Sequence, residues 1–172
     1  MMLEILKYPD PQLRRVCRPV AEITKDIHEL AANMLETMYA ARGVGLAAPQ
    51  VGIDLRMLVM DPGMGTEELE PRVIINPALE LAGELITSEQ EGCLSVPMNY
   101  RADVPRYSKV RLKGLDLQGK PLDEELEGFA AIIVQHETDH LDGKLFIDKM
   151  SHLKRAMYDN KVKKWQKHKS ET

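Results

Sequence analysis

Gln135-His136-Glu137-Thr138-Asp139-His140-Leu141-Asp142-Gly143 holds two histidines four positions apart, with a carboxylate beside the first. On an α-helix, residues i and i+4 lie one above the other, so both imidazoles can grip one metal ion. Glu137 then stands beside that ion, placed to take a proton from a water that the metal activates. The preceding run, Gly128-Phe129-Ala130-Ala131-Ile132-Ile133-Val134, is apolar on every face, the pattern of a helix buried on all sides. Asp142-Gly143 supplies the stop, with Gly143 placed for a left-handed cap. A buried helix that carries its own metal ligands decides the fold, because the rest of the chain has to wrap around it.

A catalytic site of this kind has three protein ligands and an open position. The longer pattern His-Glu-x-x-His-x-x-Gly-x-x-His matches through Gly143 but ends on Phe146, which cannot bind a metal. The one glutamate after Glu137 is Glu171, beside the last residue, where chain ends usually fray. His152, His168 and the later aspartates have no supporting spacing. The search therefore turns upstream, to Cys17 and Cys93. Cys17, between Val16 and Arg18-Pro19 in an extended stretch, reads as a small packed residue. Cys93, within Glu89-Gln90-Glu91-Gly92-Cys93-Leu94-Ser95-Val96-Pro97, has three readings: inert core, nucleophile with a helix histidine as its base, or the missing ligand. The ligand reading explains more, since it completes a Cys/His/His set with a fourth position open. The cysteine-hydrolase reading stays open beside it.

Around the helix the chain reads as short strands and turns. Apolar residues at helical spacing from Thr24 to Arg42 (Ile27, Leu30, Ala31, Met34, Leu35, Met38, Ala41) predict a helix with Thr24 as N-cap and Gly43 as its stop. The methionines in it read as core packing. Gly43-Val44-Gly45-Leu46-Ala47-Ala48-Pro49-Gln50-Val51-Gly52 reads as a tight apolar loop whose small residues allow close approach of backbone to a ligand. It lacks the ending of a phosphate loop, and Gln50 is its only side-chain hydrogen-bond donor. Strands are expected at residues 56–60, 72–75 (ended by Asn76-Pro77), 79–87 and 109–117, the last closed by a Gln118-Gly119 turn. The fold class is therefore α+β: mostly antiparallel short sheets around a central buried helix, with helices near both termini.

With 172 residues and 44% apolar content, the chain has the makings of one globular catalytic domain, residues 1–150, followed by a basic helix or tail, residues 151–172. That last segment carries seven Lys/Arg against two acids, whereas the first 150 residues carry 16 against 25. Ser151 can cap a final helix in which Leu153, Met157 and Trp165 offer apolar contacts. Lys161, Lys163, Lys164, Lys167 and Lys169 then form either a solvated face or a dock for ribosomal RNA or protein. No apolar run approaches the roughly 20 residues that span a bilayer. The N-terminus has neither a signal nor a transit pattern, and two cysteines make no disulfide framework. A cytoplasmic location is expected, with neither DNA nor a membrane as partner.

Three stretches, Gly43-Val44-Gly45-Leu46-Ala47-Ala48-Pro49-Gln50, Glu91-Gly92-Cys93-Leu94-Ser95 and Gln135-His136-Glu137-Thr138-Asp139-His140, resemble the motifs of the peptide deformylases in order and separation. The spacing is similar to that of the Gram-negative bacterial type, with Met98-Asn99-Tyr100-Arg101 slightly longer. The resemblance implies an enzyme that removes the formyl group from the N-terminal formylmethionine of nascent polypeptides and releases formate. It implies that Cys93, His136 and His140 hold one divalent ion, Fe2+ first and Zn2+, Ni2+ or Co2+ as alternatives. Glu137 would be the general base, and the Gln50 amide and Leu94 N–H would stabilise the oxyanion. A methionine pocket would be lined by Phe129, Ile132 and Ile133, with Val44 opposite, and substrate backbone would pair with extended chain at Val44-Gly45 and Glu91-Gly92. Arg101 and Arg106 would steer the peptide, support Glu91, or simply lie on the surface.

Overall fold

A long hairpin sets the frame. Strand β3 (Arg72–Glu91) runs back along β4 (Ala102–Leu115), and their antiparallel register extends from Ile75↔Leu115 to Glu91↔Ala102. The computed structural model describes residues 1–170; residues 171 and 172, including the Glu171 considered above, lie outside it. Around the hairpin, β1 (Gly45–Ala47), β2 (Met57–Met60) and β5 (Pro121–Glu127) complete one five-stranded antiparallel sheet in the order β1-β2-β3-β4-β5. Asn76-Pro77 does not end a strand, as expected, but forms a bulge: the register shifts between Ile75 and Ala78, and Asn76 takes φ +52°. A bulge is a place where a strand tolerates proline, because no ladder N–H is required there. The segments expected at 72–75 and 79–87 are thus one strand. β5 was not expected, since its Pro-Leu-Asp-Glu-Glu-Leu-Glu sequence is too acidic to stand out.

Side-chain alternation along the strands divides the core. Leu58, Met60 and Ile74 join Val110, Leu112 and Leu126 against α2 (Gly128–Leu141), where Ala131, Ile133, Val134 and Leu141 meet them. Met57, Val59 and Ile75 point the other way, against Ile27, Ala31, Met34 and Met38 of α1 (Lys25–Ala40). The sheet therefore carries one helix on each face, and each fully buried Leu, Ile or Met contributes roughly 1.5–3 kcal/mol. Thr24 caps α1 through the Ile27 N–H. At the other end the left-handed residue is Arg42 (φ +58°), not Gly43, whose N–H instead closes onto the Met38 carbonyl at 2.9 Å.

α2 begins in solvent, with Phe129 50% exposed, and enters the core from Ala131 onward. Gly143 ends it at φ +73°, with its N–H on the His140 carbonyl and the Lys144 N–H on the Asp139 carbonyl. A Cβ on Gly143 would also lie 2.5 Å from the Arg14 carbonyl oxygen. Cys17 is packed as expected: it is buried, its N–H donates to the Leu141 carbonyl, and burial pushes its thiol up to about 11. α3 (His152–Ser170) closes the chain, with the Ser151 hydroxyl accepting from the Lys154 N–H. Its buried seam is Tyr158 and Val162 with Trp165 partly covered, whereas Leu153 and Met157, expected to pack, face solvent. No helix among the described residues is long and apolar enough to cross a membrane.

Candidate active site

His136 and His140 project from the buried half of α2 toward the turn that follows β3, and Cys93 meets them there. One ligand atom from each of the three residues lies within 4.8 Å of the others. His140 Nε2 stands 3.3 Å from Cys93 Sγ. Burial holds His140 well below the ordinary imidazole range, which keeps it in the neutral form that binds metals. A soft sulfur with two imidazoles is a donor set that divalent first-row metals accept. The residues present fit such an ion.

The other nitrogen of His136 is held. Its Nδ1 lies 2.6 Å from Glu91 Oε1, and Glu91 takes a forked contact from Arg106 at 2.5 and 3.2 Å. Arg106 is 3% exposed and reaches Asp139 at 2.7 Å with its remaining arm. Burial works against the Glu91 charge, but His136 and Arg106 outweigh it and bring its pKa down to about 2. A carboxylate on the far nitrogen fixes the tautomer and raises the basicity of a ligating histidine. Arg106 is thus the support for Glu91, while Arg101 stays exposed at the rim with an arm on the Gln90 carbonyl. From the sequence, Glu91 was expected to pair substrate through its backbone, with Arg101 or Arg106 as its support in one reading, but its contact with His136 was not foreseen. The general need of a ligating histidine for a carboxylate partner was the signal that could have singled out its side chain.

Glu137 faces the same space. Its Oε1 is 3.7 Å from His136 Nε2, its Oε2 is buried with no partner among the described residues, and burial pushes its pKa up to about 7. Gly45 makes room for it: a Cβ there would sit 2.8 Å from Glu137 Cγ. Gln50, on the turn Ala48–Val51, accepts from the Ala47 N–H and points its Nε2 at Ser95 Oγ (3.0 Å) and Cys93 Sγ (3.5 Å). Ser95 had not been singled out.

A cleft of about 310 Å³ opens onto this group. Val44, Gly45, Glu91, Gly92, Cys93, Leu94, Phe129, Ile132, Ile133, His136 and Glu137 all line it. β1 is an edge strand, and the Val44 carbonyl is already taken by the Asp61 N–H. Alternation along an antiparallel strand then turns the N–H and carbonyl of Gly45 to the open edge, toward the cleft.

The family model described as polypeptide deformylase matches residues 2–156. The chain belongs to that family. The curated peptide deformylase of Alkalilimnicola ehrlichii is 50% identical over 163 residues, covering 95% of this chain and 90% of the relative. The crystal structure of a peptide deformylase from Legionella pneumophila covers 100% of this chain and 99% of that one, with 41% identity and a TM-score of 0.89. A Synechococcus elongatus peptide deformylase, solved in complex with actinonin, is 37% identical over 93% of this chain and 87% of its own, with a TM-score of 0.86. The chain is accordingly a hydrolase of the metal-dependent deformylase family, which removes the formyl group from the N-terminal formylmethionine of nascent polypeptides and releases formate. Its α+β fold matches that of the deformylase structures.

Proposed function

We propose that Cys93, His136 and His140 together hold one divalent ion, that Glu137 moves the protons of deformylation, and that the 310 Å³ cleft takes the formylmethionyl end of the substrate. One observation carries this reading: a converging three-atom ligand set has, beside it, a carboxylate oxygen buried without a partner. A divalent ion in that set supplies Lewis acidity, polarising a carbonyl and acidifying a water. Fe2+ is the ion we assign, following the family resemblance; Zn2+, Ni2+ and Co2+ suit the same donors.

Glu137 takes the proton from the attacking water and returns it to the departing α-amine, so a single carboxylate serves as base and then as acid. The formyl oxygen gains negative charge as the carbon becomes tetrahedral. The Gln50 Nε2 and the Leu94 N–H donate to it, and the Gln50 amide is oriented before substrate arrives by the Ala47 N–H on its oxygen and by Ser95. Ile132, Ile133 and Phe129 with Val44 form apolar walls suited to an unbranched methionine side chain. Substrate backbone adds to the open edge of β1 at Gly45 and to Glu91-Gly92, which leaves the sequence beyond methionine little constrained. Actinonin, held by the Synechococcus elongatus relative, is expected to occupy the same cleft.

Residues 1–150 are the catalytic unit in this reading. The exposed lysines of α3 are a surface for ribosomal RNA or protein, consistent with work in the cytoplasm on emerging chains. Ribosome binding that survives deletion of residues 159–172 would remove this last element. The reaction itself is tested by formate release from a formyl-Met peptide with anaerobically prepared protein, with and without chelator and beside Cys93→Ala. Metal-dependent release that Cys93→Ala abolishes is expected. Chelator-resistant release would move the chemistry to the Cys93 thiol.

A further inference from the structure

The turn that carries Cys93 is held largely from outside the sheet and α2. The turn closes on itself through the Val96 N–H and Cys93 carbonyl at 3.0 Å. Beyond that, the Leu94 carbonyl accepts from the Lys7 ammonium, the Ser95 carbonyl from the Tyr8 N–H at 2.7 Å, and the Pro97 carbonyl from the Tyr158 hydroxyl at 3.0 Å. Tyr158 comes from α3, far along the chain, and is 1% exposed. Its ring centre lies 4.1 Å from that of Tyr100 and 6.3 Å from that of Tyr8. Tyr8 is itself tied at two ends. Its N–H is on the cysteine turn, and its phenol donates to Asp159 of α3 at 2.6 Å while Arg155 lies over its ring. Cys93 and Val96 pack into the same cluster.

Resting on the assignment of Cys93 as a metal ligand and Leu94 N–H as an oxyanion donor, we propose that Tyr158 is a positioning residue of the active site. Its hydroxyl, seconded by Tyr8, fixes the Cys93–Pro97 turn so that the thiolate and the Leu94 N–H keep one orientation. The physical ground is that a buried carbonyl left without its donor costs enough to shift a short turn toward other donors. A small shift in a group that meets the reacting atoms is magnified in rate. α3 thereby takes a second role. Its outer face, with Leu153, Met157 and the lysines, is joined through two tyrosines to the ligand turn.

The test is Tyr158→Phe in the full chain, which removes the hydroxyl and leaves the ring. Loading with Co2+ gives a readout apart from turnover, because the thiolate-to-cobalt charge-transfer band reports the bond from Cys93. The expected result is a kcat lowered about 3- to 10-fold with KM little changed, and a shifted or weakened band. Asp159→Ala, which removes the acceptor of the Tyr8 phenol and the i,i+4 partner of Arg155 at 3.3 Å, is expected to move both readouts in the same direction by less. It also keeps the test available if Tyr158→Phe folds poorly. Met157→Ala, at an exposed position on the same helix, is the control and should leave kcat and band unchanged. Unchanged kcat and band in both Tyr158→Phe and Asp159→Ala would overturn the proposal alone. A parent protein that shows no thiolate band would remove the ligand assignment beneath it, and the proposal with it.

Discussion

α2 and α3 are built in opposite ways, and the contrast locates the chemistry. α2 has 14 residues and buries nine of them, including Gln135, His136, Glu137, Thr138 and His140. α3 has 19 and fully buries two. Burying polar groups is unfavourable unless they are partnered. α2 meets that requirement in part: Gln135 clamps the N–H and carbonyl of Tyr107 on β4, and His136 is held by Glu91. Glu137 Oε2, Thr138 Oγ1 and His140 Nδ1 remain buried without partners among the described residues. A helix interior that gives up stability in this way marks a site, while α3 shows what an ordinary polar helix does, keeping its charges in water and docking by a narrow seam.

The largest effect that can break the contrast is steric and sits opposite α2. Gly45→Ala would push a methyl group into Glu137, and kcat is expected to fall on the order of 100-fold. Unfolding midpoint and metal content should stay close to the parent values, and steady-state kinetics beside calorimetry check both. A next, smaller effect concerns the support of His136. Glu91→Gln should weaken metal binding by about 10- to 100-fold in a chelator competition, because the carboxylate that orients the imidazole is lost.

Away from Tyr158 and Asp159, the expected effects on the α3 side concern stability. Asp148 accepts from Arg14 and from Arg155 of α3, tying the helix to the N-terminal segment. Burial opposes its charge, but Arg14, the Leu145 N–H and Arg155 outweigh it and lower its pKa. Its contribution is therefore present above the ordinary aspartate value of about 4 and is lost as pH falls through the lowered one. Unfolding midpoints of the parent should drop over that acid range more steeply than those of Asp148→Asn. The smallest effects separate the two faces of α3. Val162→Ala should cost ~1–3 kcal/mol in denaturant unfolding, whereas Leu153→Ala and Met157→Ala should stay within ~0.5 kcal/mol of the parent.

The same contrast explains what was legible in the sequence. The pairing of the two histidines on α2 could be read because helical spacing is local: His136 and His140 are neighbours in space by virtue of being four apart. Gly143 could be read for the same reason, as could Thr24. What depended on partners brought from a distance could not. Support of Glu91 by Arg106 was one of several readings, decided only once β3 and β4 are in register, and Tyr158 meets Pro97 only once α3 has docked. On α3 the apolar letters misled, since Leu153 and Met157 are more hydrophobic than Tyr158 yet face solvent. Proline misled at residues 76–77, because a bulge and a strand end carry the same residues.

Glu137→Gln tests the central claim most directly. It keeps the shape of the side chain and leaves Cys93, His136 and His140 in place. Metal bound per chain should be unchanged, while formate release from a formyl-Met peptide falls about 10²- to 10⁴-fold. A variant that binds its metal and still releases formate at the parent rate would contradict the account.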